Sequence, residues 1–198
     1  PWLFGYYAGM GYVPVFKYSS TTFTASEVTI ADETAVLNKI NDYQEESYHY
    51  LNQKLRERPY CIQHTETDFR VILADLQLGE GYVYTLKQGD KITALAIVYP
   101  AGSTWQAGEI VAETPGMYPL LLQRICEQLN IPSIRVISPS ETEPAPQVLG
   151  MARIINAKTI LQRYAAEHPG LEMSIALTDP QISANNGSVS YTHLRAHE

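Results

Sequence analysis

The stretch Gly81-YVYTLKQGDKITALAIV-Tyr99 decides the fold. Two apolar runs, Tyr82 to Leu86 and Ile92 to Tyr99, flank Gln88-Gly-Asp90, which is typical of a tight hairpin turn. The chain continues with a further apolar run, a helical pattern and a last short apolar run, which cover Trp105 to Ala112, Met117 to Leu129 and Ile134 to Ile137. The order predicts three antiparallel strands, a crossover helix and a fourth strand. The fold class predicted is therefore α+β, a mixed sheet with flanking helices.

Composition restricts the class of function. The chain has 198 residues, 45% of them hydrophobic, which is enough for a substantial core, and a net charge of -7 without a basic cluster argues against nucleic-acid binding. Cys61 and Cys126 have neither metal-ligand nor disulfide-framework spacing, so a reducing, cytoplasmic setting is expected. No apolar run is long enough to span a membrane. We expect no metal site, no membrane partner and no nucleic-acid partner.

Outside the central stretch, the patterns predict further elements on both sides. Before it, we expect a short helix ended by Gly9 and Gly11, a strand from Tyr12 to Tyr18 that continues into a linker up to Ile30, and helices from Asp32 to Arg56 and from Thr65 to Leu78. After it, we expect a linker from Ser138 to Pro146, a strand over Met151–Asn156, a helix capped by Asn156 that ends at Glu167, a strand over Leu171–Leu177, and a hairpin at Asn185-Asn-Gly187.

The segment Tyr7-Ala-Gly-Met-Gly11-Tyr12 carries a specific resemblance. It is similar to the closing motif of the GNAT acetyltransferases, in which a tyrosine precedes a glycine–aromatic pair by four residues. The resemblance implies that Tyr7 is a general acid that protonates the departing thiolate of acetyl-CoA, a task that suits a phenol because its ordinary pKa of about 10 keeps it protonated at neutral pH. The alternative is that Tyr7, one of 14 tyrosines, only packs a helix on a sheet. Both interpretations stay open at this point.

The loop before the central helix differs from a GNAT cofactor loop. GNAT domains hold the CoA pyrophosphate on backbone N–H groups of a glycine-rich loop. This chain has Glu113-Thr-Pro-Gly-Met117, with one glycine, a proline that lacks an N–H, and an acidic residue that repels phosphate. We interpret the region as a degenerate GNAT copy kept for its packing. We assign no cofactor-binding residue and no general base.

The order of the pieces resembles the Eis-type (enhanced intracellular survival) acetyltransferases, and Gly150-Met-Ala-Arg-Ile-Ile-Asn156 looks like the start of their sterol-carrier-protein-like domain. This resemblance implies that residues 1–24 end a first, catalytic GNAT domain, that 25–140 form a second, degenerate GNAT domain, and that 147–188 begin the sterol-carrier-like domain. Residues 189–198 resemble a translated sequencing adapter. We interpret His193 and His197 there as an artefact and not as metal ligands. On this interpretation the chain is a fragment of a bacterial-type protein and is inactive alone.

The resemblance also implies a function for the parent protein. It would be an N-acetyltransferase that uses acetyl-CoA, bound mainly by residues upstream of Pro1, to acetylate a primary amine. The acceptor would be a small molecule, aminoglycoside-like or lysine-like, and relatives of this type include homo-oligomers. The alternative is a non-catalytic binding or scaffold protein in which both GNAT-like parts are degenerate and the sterol-carrier-like part holds an apolar ligand.

Overall fold

A computed structural model describes residues 3–27, 32, 34–58, 61–139 and 147–191. The described helices are α1 Phe4–Gly9, α2 Glu45–Arg56, α3 Glu66–Leu78, α4 Met117–Leu129 and α5 Ala157–Glu167. The described strands are β1 Val13–Thr24, β2 Ala35–Ile40, β3 Tyr82–Gln88, β4 Lys91–Ala101, β5 Thr104–Ala112, β6 Ser133–Pro139, β7 Gln147–Ala152, β8 Met173–Leu177 and β9 Gly187–Tyr191. The predicted α+β class is confirmed.

Contacts divide the chain into two compact units. Residues 1–15 and 150–198 form one unit, which we call the terminal unit, and residues 16–149 form the other, which we call the central unit. None of the described helices is both long and apolar enough to cross a membrane.

A seven-stranded sheet with the order β2-β3-β4-β5-β6-β1-β7 forms the central unit's framework. The hairpin predicted at Gln88-Gly-Asp90 joins β3 to β4, and Gly89 takes the left-handed conformation that this turn requires, with φ of 59°. β5 and β6 are parallel and pair only at Gln106 with Arg135 and at Ala107 with Val136. Because α4 connects these two strands, they form a parallel crossover unit beside the antiparallel pairs β2–β3, β3–β4, β4–β5 and β1–β6.

Two hydrophobic cores cover the two faces of this sheet. Helix α4 packs on one face, where Leu121 and Ile125 lie fully buried in the same cluster as Ala96 and Val98 of β4. Helices α2 and α3 supply the other cluster, where Leu51 and Phe69 join Leu95. Alternate residues of β4 therefore serve opposite cores, as the period of a strand requires. Full burial of a side chain such as Leu121 stabilises the fold by about 1.5–3 kcal/mol.

The helix predicted from Asp32 to Arg56 is wrong in its first half. Residues Ala35–Ile40 form strand β2, which pairs antiparallel with β3, and the helix begins only at Glu45. Asp32 does not cap a helix, because the chain forms strand β2 from Ala35 onward. Its Oδ1 instead accepts hydrogen bonds from the amide and hydroxyl of Thr34 at 2.9 and 2.6 Å. The spacing of apolar residues in this segment fits both a helix and a strand. The segment becomes a strand because it pairs with the edge of β3 that β4 leaves open. As a strand residue, Val36 is 57% exposed.

Most other predicted elements are confirmed. They are the short first helix, β1, α3, the strands and helix from β3 to β6, α5 with its Asn156 cap, and β8. The strand predicted over Met151–Asn156 begins earlier, at Gln147, and ends at Ala152. At the hairpin predicted at Asn185-Asn-Gly187, residues Gly187–Tyr191 form β9, which pairs with β8 and includes residues 189–191 of the segment interpreted as an adapter. The linker residues 140–146 and the rest of that segment, 192–198, lie outside the described residues.

Candidate functional site

Tyr7 lies near the end of α1, in the terminal unit. Its backbone oxygen accepts hydrogen bonds from the amides of Met10 and Tyr12, at 3.0 and 3.1 Å. Gly11 has φ of 79°, a conformation that favours glycine and turns the chain directly into β1. The predicted local geometry, a helix ended by glycine and followed at once by a strand, is therefore present.

The ring of Tyr7 stands among other tyrosines at the surface of this unit. It makes edge-on contacts with Tyr6 and Tyr12, with ring centroids 5.4 and 5.6 Å apart. The side chain is partly open to solvent, since Tyr7 is 39% exposed. An exposed phenol held by ring contacts can donate a proton to a bound ligand, so the geometry permits the role of acid. That role remains a prediction.

A polar cluster lies beside the turn that follows Tyr7. The guanidinium of Arg153 donates to the backbone oxygen of Met10, to Oε1 of Gln181 and to Oδ1 of Asp179. Nε2 of Gln181 donates in turn to the backbone oxygen of Gly9 at 3.3 Å. We call Arg153, Asp179 and Gln181 the clamp, because Arg153 and Gln181 bind two consecutive carbonyls of the turn and Asp179 holds the Arg153 guanidinium.

The Asp179 carboxylate accepts hydrogen bonds from Arg153, Asn185 and the amides of Gln181 and Ile182. Hydrogen bonds from the Arg153 guanidinium, then from the Asn185 side chain and from the amide of Ile182, hold the pKa of Asp179 well below its usual range. The Asp179 and Arg153 side chains are only 15% and 11% exposed. The carboxylate is therefore charged near neutral pH and balances the guanidinium.

No sequence pattern singles out the clamp. Arg153 lies within a segment predicted as a strand, and Asp179 lies between the strand predicted to end at Leu177 and the hairpin predicted at Asn185-Asn-Gly187. The only signal was a charged residue in an apolar strand pattern. The contact from Arg153 to Met10 spans 143 positions, which no local pattern reports.

The start of α4 is the place where a GNAT domain would hold the cofactor phosphates. Here the carboxylate of Glu113 forms an ion pair with Lys54 of α2 at 3.1 Å, and the Glu113 amide donates to the backbone oxygen of Thr93. Gly116 precedes the helix without a side-chain cap. Glu113 thus joins the start of α4 to α2 through an ion pair. The interpretation of a degenerate loop stays a prediction.

An open groove of about 370 Å³ lies in the central unit over the region where β5 and β6 pair. Gly108 is the extra residue of a β-bulge in β5, and a Cβ there would meet the Tyr99 hydroxyl at 2.7 Å. The Tyr99 hydroxyl also accepts a hydrogen bond from Gln106 at 2.7 Å. Part of this groove is therefore filled by the protein's own tyrosine.

Further histidines and the cysteines of the central unit have surroundings that do not form a site. His49 is exposed on α2, and its Nε2 lies 3.3 Å from Glu45 Oε1. The carbonyl of His64 accepts a hydrogen bond from Asn52 at 2.7 Å. Burial raises the pKa of Cys126 to about 11, as expected for a core thiol. Among the described residues, no group of three or more His, Cys, Asp or Glu side chains could hold a metal ion.

The chain has a GNAT-like α+β fold, a mixed sheet with flanking helices, as its likeness to solved structures shows. Solved structures with this fold align with nearly the whole chain. A GCN5-related N-acetyltransferase from Kribbella flavida matches with a TM-score of 0.61 and 14% identity, over 94% of this chain and 50% of its own length. One from Anabaena variabilis matches with a TM-score of 0.60 and 15% identity, over 94% and 53%.

Eis1 from Mycobacterium abscessus matches with a TM-score of 0.52 and 13% identity, over 96% of this chain and 55% of its own length. The chain thus spans about half the length of these structures. At such low identity the likeness shows the fold alone. No family model matches the sequence, and no curated protein matches it.

Proposed function

We propose that the chain is part of an acetyl-CoA-dependent N-acetyltransferase that acts on a primary amine, with Tyr7 as the general acid. The observation that carries the proposal is the position of Tyr7, at a glycine-ended helix directly before a strand, in a chain with a GNAT-like fold. We propose an acceptor of the aminoglycoside or lysine class, a cytoplasmic setting and a homo-oligomeric parent.

The proposed reaction requires one proton donor at the sulfur. The amine nitrogen attacks the thioester carbonyl carbon, a C–N bond forms, and the C–S bond breaks. The Tyr7 hydroxyl gives its proton to the departing sulfur, the nitrogen loses one proton to solvent or a base, and solvent restores the phenol. A positioned acid of this kind accelerates such a step by about 10²–10⁴-fold.

The domain organisation proposed for the parent follows the Eis type. Residues 1–24 would end the catalytic GNAT domain, 25–140 would form a second domain, and 147–188 would begin a sterol-carrier-like domain. Contacts place a boundary between residues 149 and 150, close to the start of the third part, and they group residues 1–15 with residues 150–198. Residues that bind acetyl-CoA would then lie mainly upstream of this chain.

A second candidate function rests on the α4 start. Because Glu113 is paired with Lys54 where phosphates would bind, the central unit itself is a poor CoA site. If the parent's first domain were equally degenerate, the protein would be a non-catalytic binding or scaffold protein.

Calorimetric titration of the full-length parent with acetyl-CoA separates the two. The enzyme proposal expects one site per chain and acetylation of an amine such as kanamycin. Absence of binding would contradict the enzyme and favour the scaffold. Two sites per chain would contradict the degenerate second domain.

A further inference from the structure

The turn after Tyr7 is anchored by side chains from the other end of the sequence. The carbonyls of Gly9 and Met10 accept hydrogen bonds from Gln181 and Arg153 respectively. The guanidinium carbon of Arg153 lies 3.5 Å from the position that a Cβ on Gly11 would occupy. Two consecutive carbonyls of the turn thus bind the clamp, and the Arg153 guanidinium lies beside Gly11.

Helix α1 has little else to hold it among the described residues. It is six residues long, has no buried residue and has no side-chain cap at its start. Helices this short are marginal in water and depend on tertiary contacts. The carbonyl of Tyr7 is bonded to the amides of Met10 and Tyr12, so a shift of the turn would move Tyr7 with it.

The clamp itself is supported on several sides. Oδ1 of Asp179 also accepts hydrogen bonds from the amides of Gln181 and Ile182, at 3.0 and 2.9 Å. Oδ2 of Asp179 accepts one from Asn185 at 2.9 Å, and Oδ1 of Asn185 accepts the amide of Ala157 at the start of α5. The guanidinium is therefore fixed by a loop that is tied to a helix.

We propose that Arg153, held by Asp179 and Gln181, is a positioning residue that fixes Tyr7 for proton transfer by clamping the Gly9–Gly11 turn. The inference rests on the function proposed above, and it adds residues that the GNAT-like motif does not contain. Arginine suits this task because its planar fork serves several acceptors in fixed directions, whereas the ammonium of lysine is a single point charge.

The first test measures the clamp without reference to activity. Hydrogen exchange at the amides of Met10, Gly11 and Tyr12 is compared between the unmodified chain and Arg153→Lys, with Arg163→Lys as the matched control because Arg163 is exposed on α5. We expect exchange to accelerate about tenfold or more in Arg153→Lys and to stay unchanged in the control. Equal exchange rates in all three proteins would contradict the claim that Arg153 holds the turn in place.

The second test is a double-mutant cycle on the full-length parent, with acetyl-CoA and kanamycin or Nα-acetyl-lysine amide as the acceptor. Loss of alignment by about 1 Å costs up to about 10²-fold in rate, so Arg153→Lys should lower kcat by about 10- to 100-fold with little change in KM for acetyl-CoA. In a Tyr7→Phe background, Arg153→Lys should have no further effect, because the group that it positions is gone.

The outcomes separate the inference from the function on which it rests. Equal losses from Arg153→Lys in both backgrounds would show a merely structural role and overturn the inference. Full turnover in Tyr7→Phe would contradict the role of Tyr7 as general acid and, with it, the positioning role of Arg153. The hydrogen-exchange result would still report whether the clamp holds the turn. If Arg153→Lys abolished both turnover and acetyl-CoA binding, the inference would also be overturned, because a positioning role leaves binding intact.

Discussion

Arg153 and Asp179 show how two charged residues can stabilise a unit that has little hydrophobic core. Both side chains are mostly buried, and each bonds to several partners. Removal of one member of such a pair leaves an uncompensated buried charge. The resulting loss of stability is larger than the net stability that the intact pair contributes. The pair therefore makes the terminal unit sensitive to single substitutions and to acid.

The first prediction concerns pH. Because the pKa of Asp179 is depressed in the folded state, chiefly by Arg153, its contribution to stability is fully present above its unfolded pKa of about 3.9. The contribution is lost as the pH falls from there towards the folded pKa. In urea unfolding, Asp179→Asn should lower the midpoint at neutral pH. The gap to the unmodified protein should shrink below about pH 4. A gap that stays constant with pH would contradict the depressed pKa.

Gly81 gives a second prediction at the scale of one residue. A Cβ there would lie 2.6 Å from Leu76 Cδ2 and 3.0 Å from both Tyr99 Cβ and the Val98 carbonyl. Gly81→Ala should therefore lower the free energy of unfolding by about 1–3 kcal/mol, measured by urea denaturation.

The matched control for Gly81 lies two residues earlier in the chain. Gly79 has an ordinary backbone conformation, and a Cβ there would have its nearest neighbouring atom 3.4 Å away. Gly79→Ala should change stability by less than about 0.5 kcal/mol. Equal losses at both positions would show that crowding at Gly81 is not the cause.

At the scale of single residues, the sequence predicted only features that neighbouring residues determine. The spacing of Tyr7, Gly11 and Tyr12 predicted a glycine-ended helix before a strand, because such a turn is built by neighbouring residues. The clamp could not be predicted, since Arg153 and Met10 meet only after the chain has folded.

At the scale of elements, strong local signals and weak ones led to different results. Helix α3 carries a full capping box, in which the Thr65 hydroxyl accepts the Asp68 amide at 3.2 Å and the Asp68 carboxylate accepts the Thr65 amide at 2.7 Å. Its predicted start was confirmed. The segment Ala35–Ile40 has no such signal and is short, so its pairing with β3 decides its conformation.

The capping box yields a third prediction. Thr65→Ala removes the hydroxyl that satisfies a free amide of the first turn, so it should lower the free energy of unfolding by about 1 kcal/mol. Thr65→Ser retains the hydroxyl and should stay within a few tenths of the original value. A serine variant as unstable as the alanine variant would show that the cap is not responsible.

At the scale of the whole molecule, the two units differ in how they are stabilised. All of the buried hydrophobic residues described in the structure lie in the central unit except Ala165. The terminal unit instead has a two-stranded sheet, β8 and β9, and the polar clamp. Two-stranded sheets are marginally stable by themselves.

This difference predicts unequal protection from hydrogen exchange. Amides of β4, which pair on both sides in the core, should exchange only on near-global unfolding. Amides of β8 and β9 should exchange at least about tenfold faster, through local opening. Native-state exchange resolved by residue or peptide checks this. Equal protection in β4 and β8 would contradict the assignment of stability to the central unit.

The central claim is the proposal that Tyr7 donates the proton in acetyl transfer, and turnover of Tyr7→Phe in the parent protein proposed above tests it most directly. Tyr6→Phe is the matched control, because Tyr6 is the adjacent tyrosine and is more exposed, at 60%. The account predicts that Tyr7→Phe lowers kcat by about 10²-fold or more with acetyl-CoA binding retained, and that Tyr6→Phe is unchanged. Equal turnover in the two variants would contradict the claim.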